Sequence, residues 1–134
     1  MRNRPARIAV VNDDTVFLAL MRDLLEDEGY EMVVCKESAG AYECVKTSRP
    51  DLVILDIRMG GEESGWQILE LLKLDPITSR IPIIVCSAAC YSLRERADVL
   101  RKHDVQVLEK PFDLDDLLVL IKGGLDRGPR SQQP

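Results

Sequence analysis

Polar side chains follow four apolar runs of strand length, at the point where each run ends. The triplet Asn12-Asp13-Asp14 follows the first run, and Asp56 follows the unbroken apolar run Leu52–Leu55. Ser87 and Lys110 come after two later runs. The carboxyl ends of parallel strands share one edge of a sheet, and ligands bind at that edge in open α/β folds. We therefore expect these side chains to lie close together.

These residue types are suited to phosphoryl transfer. Carboxylates gathered at one edge repel one another unless a cation offsets them, and Mg²⁺ is a hard ion that takes oxygen ligands. Transfer requires charge neutralisation and positioning, which the metal, the Lys110 ammonium and the Ser87 hydroxyl would supply. Asp56 itself can be the nucleophile and form an aspartyl phosphate. Taken singly, each residue is as well explained as a helix cap or a turn residue, so the prediction depends on all of them together.

Alternating strand and helix patterns predict the sheet that positions these residues. The predicted strands cover residues 6–11, 30–35, 52–55, 81–86 and 105–108, and helices follow them, among them 38–47, 66–74 and 91–102. The alternation of five strands with five helices predicts an α/β fold. We expect a doubly wound, five-stranded parallel sheet with right-handed crossovers, in the flavodoxin-like order 2-1-3-4-5.

The first and last helices are predicted from apolar stripes at helical spacing. The stripe of the first helix is Phe17, Leu20, Met21, Leu24 and Leu25, and that of the last is Leu114, Leu117, Leu118 and Ile121. Asp13 or Asp14 is expected to cap the first helix, and Asp113 the last. Residues 1–122 are predicted to form one domain, and the Gly-, Pro- and polar-rich segment 123–134 a flexible tail.

Composition limits the classes of function. The chain has 134 residues, 46% of them hydrophobic and 31% charged, which is typical of a globular protein. Its net charge of −5 gives no support for direct nucleic-acid binding. No apolar run approaches the roughly 20 residues of a membrane span, and no apolar segment of signal-peptide type follows Met1. We expect a cytoplasmic protein without a membrane partner.

Cysteine and histidine content argues against zinc and against a catalytic site of the Ser-His-Asp or Cys-His type. None of the four cysteines, Cys35, Cys44, Cys86 and Cys90, forms a Cys-x-x-Cys pair. Reduced thiols packed in the core are therefore expected. The one histidine, His103, lies in a charged helical stretch, so a Ser-His-Asp or Cys-His site is disfavoured.

The motifs in their order give the chain a resemblance to the response-regulator receiver domains of bacterial two-component signalling, from about Ala6 to Ile121. The residues that carry it are Val10-Val11-Asn12-Asp13, Leu55-Asp56-Ile57-Arg58-Met59, Ser87-Ala88 and Lys110-Pro111-Phe112. The resemblance implies that Asp56 takes a phosphoryl group from a sensor histidine kinase or a phosphotransfer protein. An unidentified downstream protein would then bind the phosphorylated form.

The same resemblance implies a role for each matching residue. Asp13, Asp56 and the backbone carbonyl of Arg58 would bind Mg²⁺, with Asn12 in contact through a water. Ser87 would contact the phosphoryl group after transfer, and Lys110 would pair with its oxygens. The Lys110–Pro111 bond is expected to be cis.

Some positions depart from the family pattern. Asn12 stands where a second acidic residue is usual, and its missing charge predicts weaker Mg²⁺ binding. Gly60 replaces a frequent proline, and Val107 stands where an aromatic switch residue is frequent. Arg58 is a long cation two residues after the acceptor, where it could cover the site or contact the phosphoryl group. Asp14 matches a frequent third acidic position and is given a supporting role.

Asn12 and Val107 keep a second interpretation open, a degenerate receiver that acts as a phosphorylation-independent interaction module. A small α/β enzyme is a third interpretation. A flavin site would place its phosphate against the carboxylates after the first strand, which would repel it. A phosphatase of the haloacid-dehalogenase type would have an Asp where Arg58 stands, and no Gly-rich loop of a nucleotide hydrolase is present.

Overall fold

The structure is a computed structural model that describes residues 4–59, 62–88 and 90–127, with the backbone alone at residues 90–92. Its strands are β1 (Arg7–Val11), β2 (Glu31–Cys35), β3 (Leu52–Leu55), β4 (Ile83–Ser87) and β5 (Gln106–Glu109). They form one sheet in the order β2-β1-β3-β4-β5, and every neighbouring pair is parallel. The predicted fold class and strand order are therefore confirmed.

Six helices lie in the described ranges, where five were predicted. They are α1 (Thr15–Asp27), α2 (Ala41–Ser48), α3 (Gly65–Leu74), α4 (Cys90–Glu95), α5 (Ala97–Lys102) and α6 (Leu114–Arg127). The additional helix arises because the predicted helix 91–102 is interrupted at Arg96, whose φ of −106° and ψ of 21° leave the helical range.

The sheet has an apolar core on each face. On one face, strand residues such as Val53 and Leu55 pack against α2, α3, α4 and α5. On the other face, residues such as Leu52 and Ile54 pack against α1 and α6. All four residues of β3 are at most 1% exposed, which explains why this strand is apolar without alternation. The central strand thus carries the chain to Asp56 through the middle of the core.

Helix α1 buries a face that differs from the predicted stripe. Leu18, Met21 and Leu25 are buried, whereas Leu20 is 50% exposed. The prediction for Leu20 is therefore wrong. Helical spacing allowed either residue, and the docking angle of α1 on the sheet selects Leu18.

Helix α6 continues to Arg127, so the tail predicted from residue 123 is helical in its first part. Gly124 is buried, and a Cβ added there would lie 2.7 Å from Cδ1 of Leu52. This glycine permits close packing of the helix on the sheet and does not end it. The rest of the predicted tail, residues 128–134, lies outside the described residues.

Two of the cysteines are bonded to each other. Cys35, at the end of β2, and Cys44, in α2, form a disulfide, so the expectation of reduced thiols is wrong for this pair. Packing of α2 over the end of β2 brings together two residues that form no recognisable sequence motif. Cys86 is a buried free thiol, and the side chain of Cys90 lies outside the described part.

Candidate functional site

The carboxyl ends of β1, β3, β4 and β5 form one edge of the sheet, here called the carboxyl edge. Val11 pairs with Leu55 in the sheet register, so Asn12 and Asp56 leave neighbouring strands side by side. The Asp56 amide donates to the carbonyl of Val11 over 3.0 Å, which extends the pairing by one residue. The strand order therefore places the residues after β1 next to Asp56.

The other half of the carboxyl edge is held by a backbone hydrogen bond. The amide of Lys110 donates to the carbonyl of Ser87 over 3.0 Å, directly after β5 and β4 end. Ser87 is fully buried, and the Lys110–Pro111 peptide is cis, as predicted. Asp56, Ser87 and Lys110 are thus presented at the same edge by three neighbouring strands.

Two groups contact the Asp56 carboxylate, one a neutral backbone amide and the other a positively charged ammonium. The side chain is buried, with the residue 7% exposed. Its Oδ1 accepts the backbone N–H of Arg58 over 3.2 Å, and its Oδ2 lies 3.4 Å from the Lys110 ammonium. Hydrogen bonds to a carboxylate are stronger when the donor is also charged. The carboxylate is therefore fixed at the carboxyl edge beside a cation.

The three residues after β1 differ in their contacts, and the structure shows which of the two aspartates caps α1. Asp14 caps α1, because its Oδ1 accepts the amides of Val16 and Phe17 over 3.0 and 3.4 Å. Asn12 is 1% exposed, and its Oδ1 accepts the Asp14 amide over 2.9 Å. Asp13 is exposed between them. Asn12 and Asp14 thus order the turn that carries Asp13.

The side chain of Arg58 is directed to the loop after β3. Its guanidinium lies 3.3 Å from Glu63, and the two side chains are 54% and 37% exposed. This pair is an exposed one, for which about 0–1 kcal/mol is typical. Met59 and Glu62 are joined in the same loop by an isolated antiparallel bridge. Gly60 lies outside the described residues.

Gly65 is a residue that sequence reasoning missed. Its amide donates to the carbonyl of Ile57 over 2.8 Å. An added Cβ would lie 2.5 Å from the carbonyl oxygen of Asp56 and 2.8 Å from that of Ile57. Helix α3 therefore begins against the backbone of Asp56 and Ile57, directly after β3, and only a glycine permits that approach. A Ser-Gly pair in a Gly-rich loop carries no signal that distinguishes this role from an ordinary turn.

One more titratable group lies behind the site. Cys86 precedes Ser87, and burial raises the pKa of its thiol to about 12. The thiol therefore stays protonated at neutral pH and adds no charge to the carboxyl edge.

The side chains at the carboxyl edge suit a hard cation better than zinc. Among the residues that the structure describes, no three His, Cys, Asp or Glu side chains are grouped as metal ligands. A cation held by Asp13 and Asp56 would therefore complete its shell with carbonyl or amide oxygens and water. This is the ligand set that Mg²⁺ accepts.

An apolar cavity of about 460 Å³ lies beside the carboxyl edge and is here called the α1 pocket. It is lined by α1 and by the segments after β4 and β5, including Val16, Phe17, Leu20, Lys110, Phe112 and Leu114. The ring of Phe17 lies next to the Lys110 ammonium, which is 4.7 Å from the ring centroid. The pocket and the candidate site therefore share Lys110.

Comparison with known proteins gives the family. The model of the response regulator receiver domain matches residues 8–122. The polar-differentiation response regulator DivK of Brucella anthropi is 28% identical over 122 residues, which are 90% of this chain and 97% of DivK. A solved CheY-like receiver domain protein from Methanospirillum hungatei is 27% identical, with a TM-score of 0.77 over 92% of this chain and 95% of that one.

A further solved structure is the receiver domain of sensor histidine kinase PA1611 from Pseudomonas aeruginosa. It is 20% identical, with a TM-score of 0.76 over 91% of this chain and 98% of that one. It has a magnesium ion coordinated in its active site cleft. At this identity the likeness concerns the fold.

The fold and the family model agree. The chain belongs to the response-regulator receiver domain family of two-component systems. Within the described ranges, no helix has the length and apolar character needed to cross a membrane.

Proposed function

We propose that Asp56 accepts a phosphoryl group from a sensor histidine kinase or a phosphotransfer protein, and that a downstream protein binds the phosphorylated form in the cytoplasm. The observation that carries the proposal is the buried Asp56 carboxylate with the Lys110 ammonium 3.4 Å from its Oδ2. A buried acidic side chain beside a cation is suited to a reaction in which a negatively charged phosphoryl group must approach a negatively charged carboxylate.

In the proposed reaction, a carboxylate oxygen of Asp56 forms a bond to phosphorus while the bond from phosphorus to the donor breaks. Lys110 neutralises charge on the phosphoryl oxygens, and Ser87 offers its hydroxyl to one of them. The amide of Arg58 donates to Oδ1 and keeps the carboxylate oriented during the approach. The protein thus supplies position and charge, which is what phosphoryl transfer requires.

Mg²⁺ is the proposed cofactor, and the side chains present fit it. Asp13, Asp56 and the carbonyl of Arg58 would hold the ion, with Asn12 in contact through a water. When bound, the ion neutralises charge on the acceptor and on the phosphoryl oxygens. Asn12 contributes no charge, and its Oδ1 accepts the Asp14 amide, so we expect it to order the turn more than to attract the cation.

A phosphorylation-independent interaction module remains the alternative, and the uncharged Asn12 favours it. The Asp56–Lys110 pair favours the phosphoacceptor, because an interaction module does not need a buried carboxylate beside an ammonium.

The two functions are separated by incubating the protein with acetyl phosphate and Mg²⁺ and measuring the intact mass. The phosphoacceptor gains one phosphoryl group, stable in acid and labile in base, and the gain requires Mg²⁺. The Asp56→Asn variant, which keeps the shape of the side chain, should gain none. A wild-type protein whose mass does not change, while beryllofluoride also fails to bind, would favour the interaction module.

A further inference from the structure

The Lys110 ammonium has two partners in the described part of the chain. Oδ2 of Asp56 lies 3.4 Å away, and the centroid of the Phe17 ring lies 4.7 Å away. A lysine ammonium within about 6 Å of the face of an aromatic ring is attracted by the negative potential of the ring. The ammonium is therefore held by an anion from β3 and by a ring from α1.

We propose that Phe17 is a positioning residue that keeps the Lys110 ammonium at Asp56. Its importance for phosphoryl transfer rests on the proposed function, but the contact itself does not. Lysine has a flexible four-carbon stem, so one ion pair of 3.4 Å leaves its ammonium free to move toward water. Its side chain is 26% exposed, so water is available to compete. The ring restricts that movement.

Phe17 is itself fixed by the turn that carries Asp13. The amide of Phe17 is one of the two that the Asp14 cap accepts, so the first turn of α1 begins directly after the acidic residues. The ring is partly buried against the core on the α1 face of the sheet. The same turn of the chain therefore positions both the exposed carboxylate of Asp13 and the ring of Phe17, which lies beside Lys110.

The ring also bears on what happens after phosphoryl transfer. Once Asp56 is an acyl phosphate, the ammonium must leave the carboxylate oxygen and pair with phosphoryl oxygens. An aromatic face attracts the cation without taking the place of the oxygen atoms that accept its hydrogen bonds. The ring therefore keeps the ammonium near the site while the ammonium changes from one oxygen to another. An aliphatic side chain of similar volume would fill the space without this attraction.

The direct test is NMR of the Lys110 side chain in the unphosphorylated protein. A ring next to the ammonium shifts the nearby methylene protons of Lys110 upfield. We expect this shift in the wild type, its loss in Phe17→Leu, and its retention in Phe17→Tyr, which keeps the ring. A wild-type Lys110 at random-coil shifts, or a shift that survives Phe17→Leu, would overturn the proposal.

The second measurement is the rate of phosphorylation by acetyl phosphate with Mg²⁺. We expect Phe17→Leu to lower this rate about two- to five-fold and Phe17→Tyr to retain it, given the usual strength of such contacts. Leu20→Ala is the control, since it removes apolar surface from the same α1 pocket and leaves the ring in place. An equal loss of rate in Leu20→Ala and Phe17→Leu would contradict positioning by the ring.

The two measurements separate this proposal from the proposed function. If the wild type is never phosphorylated but Lys110 shows the ring shift, the proposed function fails and the contact stands. If the wild type is phosphorylated and Phe17→Leu reacts at the wild-type rate, the role of Phe17 is wrong and the proposed function is unaffected.

Discussion

Lys110 and Asp56 lie 54 positions apart in the chain, yet Nζ of the lysine is 3.4 Å from Oδ2 of the aspartate. Their strands are not neighbours, because β4 lies between β3 and β5. The contact forms because the Lys110 amide is tied to Ser87 at the end of β4, from where the long side chain reaches across one strand. Strand order and side-chain length together create the site.

The close approach of Gly65 to the backbone of Asp56 and Ile57 predicts a large effect of one added methyl group. In Gly65→Ala the added Cβ meets backbone atoms of Asp56 and Ile57, which cannot rotate away. We expect a loss of about 1–3 kcal/mol in the free energy of unfolding. Urea unfolding monitored by circular dichroism measures it.

Gly123→Ala, in helix α6, is the matched control, because a Cβ there meets no atom of the described residues within 4 Å apart from the backbone of its own helix. We expect it to stabilise the protein by about 0.5–1 kcal/mol, as alanine does in a helix interior. Equal effects at the two glycines would show that close packing against the backbone of Asp56 and Ile57 is not what Gly65 provides.

A single added charge should tighten Mg²⁺ binding. Asn12→Asp keeps an acceptor for the Asp14 amide and places a further negative charge beside Asp56. We expect a lower dissociation constant for Mg²⁺, followed by the fluorescence of Trp66, the one tryptophan, or by calorimetry. Gln106→Glu adds the same charge at the start of β5, at the opposite edge of the sheet, and should leave the constant unchanged. Unchanged binding in Asn12→Asp would refute the charge argument.

Val107 predicts a weak conformational response to phosphorylation. It lies in β5, opposite Val85, and packs against the core on the α2 face. Valine is β-branched and stiff, and has no ring to exchange between an exposed and a buried rotamer. We expect hydrogen exchange over residues 91–108 to change little when beryllofluoride binds.

The side chain of Tyr91 lies outside the described part and is the remaining ring that could respond. Tyr91→Ala is therefore the variant to compare. Large exchange changes over residues 91–108 that persist in Tyr91→Ala would show that the response needs an aromatic ring at neither position 107 nor position 91, and would refute the prediction.

The lowered pKa of Asp75 predicts that the stability of the protein depends on pH. Its Oδ2 accepts the Tyr42 hydroxyl and lies 2.9 Å from Lys46, while its Oδ1 accepts the Ile77 amide over 2.9 Å. The Tyr42 hydrogen bond first, then those of Ile77 and Lys46, lower the pKa of Asp75 to about 2. The unfolded chain, with a pKa of about 3.9, binds the proton more readily, so this stabilisation is present above about pH 4 and is lost as the pH falls toward 2.

Urea unfolding of the wild type and Asp75→Asn between pH 7 and pH 3 measures this effect. The difference in the free energy of unfolding should be constant near neutral pH and shrink below about pH 4. Tyr42→Phe removes the largest cause and should make the pH dependence shallower. A difference that grows on acidification would contradict the sign.

The sequence contains enough information for the strands and for the position of Asp56 at the carboxyl edge. The apolar run of β3 could be recognised because both of its faces are buried, and the same run delivers Asp56 to the carboxyl edge. The cap of α1 could not be assigned, because Asp13 and Asp14 have the same chemistry and only the turn geometry separates them.

Contacts between elements were harder to predict. The disulfide of Cys35 and Cys44 and the close packing at Gly65 depend on how helices and loops lie on the sheet. The spacing of residues along one helix or strand does not predict how that element packs on the others. These are therefore properties that the folded structure adds to the sequence pattern.

The most direct test of the central claim is to identify the phosphorylated residue by its chemistry. After reaction with acetyl phosphate and Mg²⁺, borohydride reduces an acyl phosphate to the alcohol, so the modified aspartate becomes homoserine. Peptide sequencing by mass spectrometry should then find homoserine at Asp56, with Asp13 and Asp14 unchanged. Homoserine at either of those two residues, or at none of the three in a protein that has gained a phosphoryl group, would contradict the assignment.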